Sequence, residues 1–216
     1  MELYKYFKKK EYKDDFLQGR IRLGTFELYR GIENRHQGDP YEAINSYLIE
    51  NETFTPERRK EVEETVPFAK NLFRSIASEE TTIQFVNTKI NHRLVDSYIV
   101  CATTERNDEF FREDFGPYCI KIKNTTGFLL GVTHALIHKL QTEIVDYMGE
   151  VSYDKDVITS FLNHTNPALI KHAEPYAVQK EFRFVWELSP LPTANLDVIT
   201  VSLNKDLADI LFEDLN

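Results

Sequence analysis

Several short stretches of the chain combine side chains capable of chemistry. Gln179-Lys180-Glu181-Phe182-Arg183-Phe184 sets an amide and a carboxylate two residues apart. On a strand, that spacing points both to one face. A Gln179–Glu181 pair can grip sugar hydroxyls, and the carboxylate can stabilise positive charge developing on a ribose ring. The same alternation also describes the polar face of an ordinary amphipathic strand. Tyr4-Lys5-Tyr6 and Tyr29-Arg30 offer aromatic faces beside cations, and Arg22 lies in the run Gly19-Arg20-Ile21-Arg22-Leu23-Gly24-Thr25. His134 and His138 stand four apart in His-Ala-Leu-Ile-His, a spacing that lets two imidazoles share a metal on a helix. Ala135 fills the position where the zinc-peptidase pattern has Glu, so no metal site is expected.

Other signatures are missing from the sequence. There is no Gly-x-x-x-x-Gly-Lys-Ser/Thr loop, no Gly-x-Gly-x-x-Gly fingerprint and no Gly-x-Ser-x-Gly elbow. With 35 acidic against 26 basic residues the net charge is -9, which opposes general binding to a nucleic-acid backbone. Residues 1–35 depart from this, with nine basic residues against six acidic. A locally basic start suits a small phosphorylated ligand, and it equally describes a solvated, Lys-rich surface.

The elements that must position these groups follow from periodicity. Leu3–Phe7 reads as a strand, Glu11–Gln18 as a helix ended by Gly19, and 20–25 as an alternating strand. Phe26–Arg30 reads as extended or turning, and residues 31–41 as a loop broken by Gly31, Gly38 and Pro40. Thr55-Pro56-Glu57 is a helix start, with Thr as cap and Pro at the first position. That helix runs towards Ser78 with Val62, Val66, Phe68, Leu72, Phe73 and Ile76 buried, and Pro67 should kink or split it. Strands are expected over 82–88, 97–103, 118–123, 143–147, 150–153, 182–188 and 197–203. Helices are expected over 128–140, 156–163, 167–172 and 207–215. Together they give an α+β chain, a single domain over 1–216, with a split mixed β-sheet flanked by helices.

The order Tyr-Lys-Tyr, Gly-x-x-x-x-Gly-Thr and Asp39-Pro40-Tyr41-Glu42 resembles a large bacterial and phage family. That family is marked by a starting Tyr-Lys/Arg-Tyr/Phe and an Asn-Asp-Pro-Phe-Glu box. Ile99-Val100-Cys101-Ala102-Thr103, Phe115-Gly116-Pro117-Tyr118-Cys119 and Lys180-Glu181-Phe182-Arg183 match its later landmarks. Gly38 stands where the box has Asn. The family looks like a divergent branch of the ADP-ribosyltransferase fold, in which a split sheet clasps NAD. The resemblance implies that Glu181 holds the nicotinamide ribose, with Gln179 as its partner. It places Tyr4, Lys5 and Tyr6 beside the nicotinamide or its ribose. Arg22, Thr25, Tyr29, Arg30 and Asp39 complete the expected ligand-binding set. The first strand offers Lys5 where well-studied transferases have Arg or His, and Leu23-Gly24-Thr25 only loosely matches their Ser-Thr-Ser strand.

NAD is therefore expected as substrate, in a transferase or glycohydrolase acting as a toxin or antiphage effector. A silent nucleotide-binding module on the same fold is the alternative, as is a phage-type inhibitor that works by protein contact. The start of the chain has no signal-peptide core and no apolar run nears the ~20 residues of a membrane span, so a cytoplasmic protein is expected. Cys101 and Cys119, not in a Cys-x-x-Cys pair, read as reduced, buried thiols.

Overall fold

The computed structural model describes residues 1–32, 38–153 and 158–215. The chain divides into two compact units, where the sequence drew no boundary. One is built from 1–42, 95–153 and 171–216, the other from 43–94 and 154–170. No helix of the described residues is long and apolar enough to cross a membrane.

The larger unit opens with β1 (Leu3–Phe7), α1 (Lys10–Leu17), β2 (Arg20–Thr25) and α2 (Phe26–Arg30). Gly19, at φ 81, lets the chain reverse between α1 and β2. Thr25 ends β2 and caps α2, its side chain accepting from the Leu28 amide, so 26–30 is helical rather than extended. The unit resumes with β5 (Tyr98–Thr103), α5 (Asp108–Asp114), β6 (Tyr118–Ile122), α6 (Thr125–Leu140) and β7 (Glu143–Glu150). It closes with the short turn α7 (Ala173–Tyr176), then β8 (Glu181–Ser189), β9 (Ile199–Ser202), α8 (Lys205–Leu211) and β10 (Phe212–Asp214). One strand, β7, replaces the two expected over 143–153. The expected terminal helix stops at Leu211, after which Phe212–Asp214 pairs with β6.

These strands form one eight-stranded sheet, and its registered pairs are antiparallel. Strand β5 has three partners. Strand β8 covers one edge from Tyr98 to Thr103. The other edge is divided, with β1 meeting it at Thr103 and β2 at Ile99 and Tyr98. The sheet therefore forks there. On one face Leu3, Ile21, Val100, Phe184 and Trp186 pack beneath Phe128 and Val132 of α6. The opposite face carries the site.

The smaller unit pairs β3 (Ile44–Phe54) with β4 (Ile83–Arg93) in a long antiparallel ribbon. The first of these strands carries no signal recognised in the sequence. Helices α3 (Pro56–Thr65) and α4 (Pro67–Ile76) replace one long helix, broken at Val66 before Pro67. Val62, Val66 and Phe73 are buried against Tyr47, Phe54 and Phe161. Ile76, expected inside, is 51% exposed because it ends α4. Of the helix expected over 156–163, residues 156 and 157 lie outside the described residues. Ile158 forms a bridge to Tyr47, and only Phe161–Asn163 makes a 3-10 turn. A second 3-10 turn, Pro167–Leu169, is all that forms of the helix expected over 167–172.

Candidate functional site

Directly opposed residues on neighbouring strands point to the same face. The register opposes Tyr4 to Thr103 and Thr103 to Glu181, so three strands set Tyr4 and Glu181 in one row. Next to it, Cys101 opposes Arg183 and Arg183 opposes Gly149. Arg22 shares the face two residues before Gly24, which opposes Ile99. Lys5 alternates with these and shares its face with Leu3 and Phe7, which pack into the main core. Its amine turns into the fork and donates to the Cys101 carbonyl at 2.8 Å. The two strands sharing this β5 edge pair with it only at Thr103, Ile99 and Tyr98, so Lys5 supplies a donor where the fork leaves no strand.

Around the fork lies a cavity of about 420 Å³, within the range of small-molecule sites. Tyr4, Lys5, Tyr6, Arg22, Tyr29, Gln179 and Glu181 all line it, brought from both ends of the chain. Thr25, Arg30 and Asp39 do not. Thr25 is spent on the α2 cap. Arg30 pairs with Glu27 at 2.7 Å and donates to the Glu42 carbonyl at 2.7 Å. Asp39 accepts from the Tyr41 amide at 2.8 Å and so shapes its own turn. Gln179 reaches the cavity by a different route from the one expected. It lies in a 3-10 turn, and Lys180 follows at φ 44, so the strand begins only at Glu181. The pair therefore does not share a strand face.

Glu181 is 6% exposed and sits in a network of four buried charges. Lys171 Nζ is 2.7 Å from its Oε2, and Arg183 Nε is 2.7 Å from its Oε1. Glu42 meets Arg183 at 2.7 Å and Lys171 at 3.6 Å. Burial alone would raise the Glu181 carboxyl, but Arg183 and Lys171 outweigh it and hold the group below the usual carboxylate range. Lys171 loses by burial and gains more from Glu181 and Glu42, so its ammonium is held above its ordinary value. The Lys171 ammonium also lies 4.6 Å from the centre of the Tyr176 ring. The Tyr176 hydroxyl donates to the Gly38 carbonyl, tying down the Asp39–Glu42 turn. Sequence reading missed Glu42 and Lys171 as members of the site. The Asp-Pro-Tyr-Glu box was a signal for Glu42, whereas nothing in the sequence marked Lys171.

Among the described residues, the two balanced pairs leave Lys5, Lys8 and Arg22 as cations lining the cavity without a carboxylate partner. Among the described residues Arg22 has no hydrogen-bond or ion-pair partner, and it is exposed. Burial pushes the Tyr29 hydroxyl up, so it stays protonated at neutral pH. Burial likewise pushes the Cys101 thiol up; this cysteine is half-buried and lines the cavity, whereas Cys119 is buried, and both are free. His134 and His138 are exposed on α6, away from the fork. Among the described residues no group of three or more metal-binding side chains gathers.

No protein-family model, no curated protein and no solved structure matches the chain.

Proposed function

We propose that the fork binds NAD or a related dinucleotide and that the chain cleaves the bond between nicotinamide and ribose. What carries this reading is the convergence of Tyr4, Lys5, Arg22, Tyr29 and Glu181 on one cavity. Aromatic walls and an excess of cations suit an anion that bears planar rings. Arg22 meets the pyrophosphate, and Tyr4 or Tyr29 stacks on the nicotinamide. The glycosidic electron pair leaves with the nicotinamide nitrogen, and positive charge spreads over the ribose. Glu181 accepts a hydrogen bond from the 2′-hydroxyl and opposes that charge. Lys171 and Arg183 fix its position in advance, so little reorganisation accompanies the reaction. Water or another nucleophile then captures the sugar.

The ion network also supports a second reading. Both oxygens of Glu181 already accept from cations, which offsets part of its charge. A nucleotide-binding module without turnover would use the same cavity.

Calorimetry with NAD, together with nicotinamide release, separates the two. Turnover in Glu181→Gln should fall by about 10²-fold or more, roughly 2.7 kcal/mol at the barrier, while affinity changes far less. From the Gln-x-Glu pattern alone, a carboxylate facing a cleft adds little to a core, and this substitution would be expected to spare folding. The buried network reverses that expectation, so rates must be compared well below each melting temperature. Binding without nicotinamide release from the wild type removes the enzyme and leaves the module. No binding at millimolar NAD discards both.

A further inference from the structure

Lys5, half-buried, differs from the buried cations of the fork. Arg183 and Lys171 each face carboxylates, whereas the Lys5 amine has one hydrogen-bond partner among the described residues, a neutral backbone carbonyl. It stands on the strand face that packs into the apolar core, and its nitrogen is 5.6 Å from the centre of the Phe7 ring. Glu181 is the near carboxylate, but Lys171 and Arg183 occupy its oxygens. The Cys101 thiol is kept protonated by burial and gives no counter-charge. An ammonium has three donors, and one is used. The rest of the amine faces a cavity also lined by Arg22 and Lys8, which among the described residues have no ion-pair partner.

We propose that Lys5 is an imine-forming amine that takes the open-chain aldehyde of a phosphorylated sugar. The inference rests on the cleft accepting sugar phosphates, but not on NAD turnover. Once the ammonium has given a proton to water, the nitrogen lone pair attacks the aldehyde carbon, the C=O π bond breaks, and one of the two nitrogen protons passes to the oxygen. The resulting carbinolamine loses its hydroxyl, with the remaining nitrogen proton, as water, and a C=N bond forms. Arg22 holds the phosphate, and the aromatic walls exclude water from the imine. Burial, the largest influence, lowers the Lys5 pKa, and Arg22 adds to it against the pull of Glu181. The free amine this chemistry needs is therefore commoner than on a surface lysine.

The test is trapping with ribose 5-phosphate and sodium cyanoborohydride, which reduces an imine to a stable secondary amine, followed by mass mapping of the full chain near pH 7. A lowered pKa makes the free base of an amine commoner, so Lys5 should be labelled faster than exposed Lys9. Ribose without phosphate should label Lys5 more slowly. Lys5→Arg retains charge and the bond to Cys101 and should remove the fast site. Labelling that follows solvent exposure, with Lys8, Lys9 and Lys10 ahead of Lys5, overturns the proposal. The wild-type map alone decides it, even if the variant folds poorly. Nicotinamide release, measured separately, reports on the NAD reading whichever way the trapping turns out.

Discussion

The two faces of β8 are equally inaccessible and chemically opposite. Phe182, Phe184 and Trp186 point towards α6, where Phe128 and Phe184 meet edge to face at 4.8 Å. Glu181 and Arg183, their immediate neighbours, point the other way and are 6% and 0% exposed. Apolar packing is a sum of many weak contacts, and it degrades in proportion to what is removed. A buried charge network is nearly all-or-none, because deleting one member leaves another charge without its partner. The apolar face therefore accounts for the fold. The charged face makes sense if something must be held in a fixed place beside the cavity, and Glu181 is what it holds.

The largest expected effect tests this contrast directly. Arg183→Met should cost about 3–5 kcal/mol, because Glu42 and Glu181 would remain with Lys171 alone. Phe184→Ala should cost a similar ~3–5 kcal/mol through its cavity. The faces differ in how second substitutions combine. Adding Glu42→Gln to Arg183→Met should return part of the loss, a coupling of roughly 0.5–3 kcal/mol in urea unfolding. Strict additivity, or a more stable Arg183→Met, would make the charged face ordinary filler.

Acid should separate the two units next. Glu181 has a depressed folded-state pKa. Its stabilisation is complete above the unfolded value, near ~4.3, and is lost as pH falls below it. In the smaller unit His92 stacks on Phe68 with ring centres 4.1 Å apart, and its buried Nδ1 has no hydrogen-bond partner among the described residues. Burial, and then His164, lower its pKa to about 4. Burial also lowers His164, whose Nδ1 is 2.5 Å from the Tyr47 hydroxyl. A histidine kept neutral in the fold binds its proton first in the unfolded chain. Stability is thus lost as pH falls from ~6.5 towards the folded value. Amide exchange at pH 5 should rise in β3 and β4 while β5 and β8 stay protected, and His92→Phe should suppress the rise. Parallel loss of protection in both units would refute the difference.

Legibility in the sequence followed locality. Strands 3–7, 20–25 and 98–103 announced themselves through alternation and aromatic or β-branched bias, and Thr55-Pro56 and Pro67 fixed the ends of two helices. Short capped elements such as 26–30 went unread, because one Thr25 side chain decides them. Residues 44–54 mix Ile, Asn, Ser and Glu without a clean period, since part of that ribbon is exposed on both faces. In the site, Tyr4, Lys5, Arg22 and Glu181 could be named from motif order. Lys171 could not, because it meets Glu181 through a turn with no local pattern. Thr25, Arg30 and Asp39 were motif residues whose side chains the backbone itself uses.

The smallest expected effect concerns the wall of the cavity. Gly24 lies beside the Tyr29 ring, and a methyl built there would stand 3.0 Å from Cε2 and 3.1 Å from the hydroxyl oxygen. The ring must give way by a few tenths of an ångström. It is the far end of its side chain, while the Tyr29 carbonyl accepts from Asp39 at 3.2 Å and holds the backbone. Crowding of this kind costs about 1–3 kcal/mol when nothing yields, and here the ring yields. Losing a glycine from the unfolded ensemble returns ~0.4–1 kcal/mol. Gly24→Ala should therefore melt close to the wild type. A ligand that stacks on Tyr29 should bind about fivefold more weakly, near 1 kcal/mol, in calorimetry with NAD. Gly24→Ala with Tyr29→Leu should then bind no more weakly than Tyr29→Leu alone, since the displaced ring is gone. Equal affinity in Gly24→Ala and wild type would place the ligand away from Tyr29 and leave Tyr4 as the stacking face.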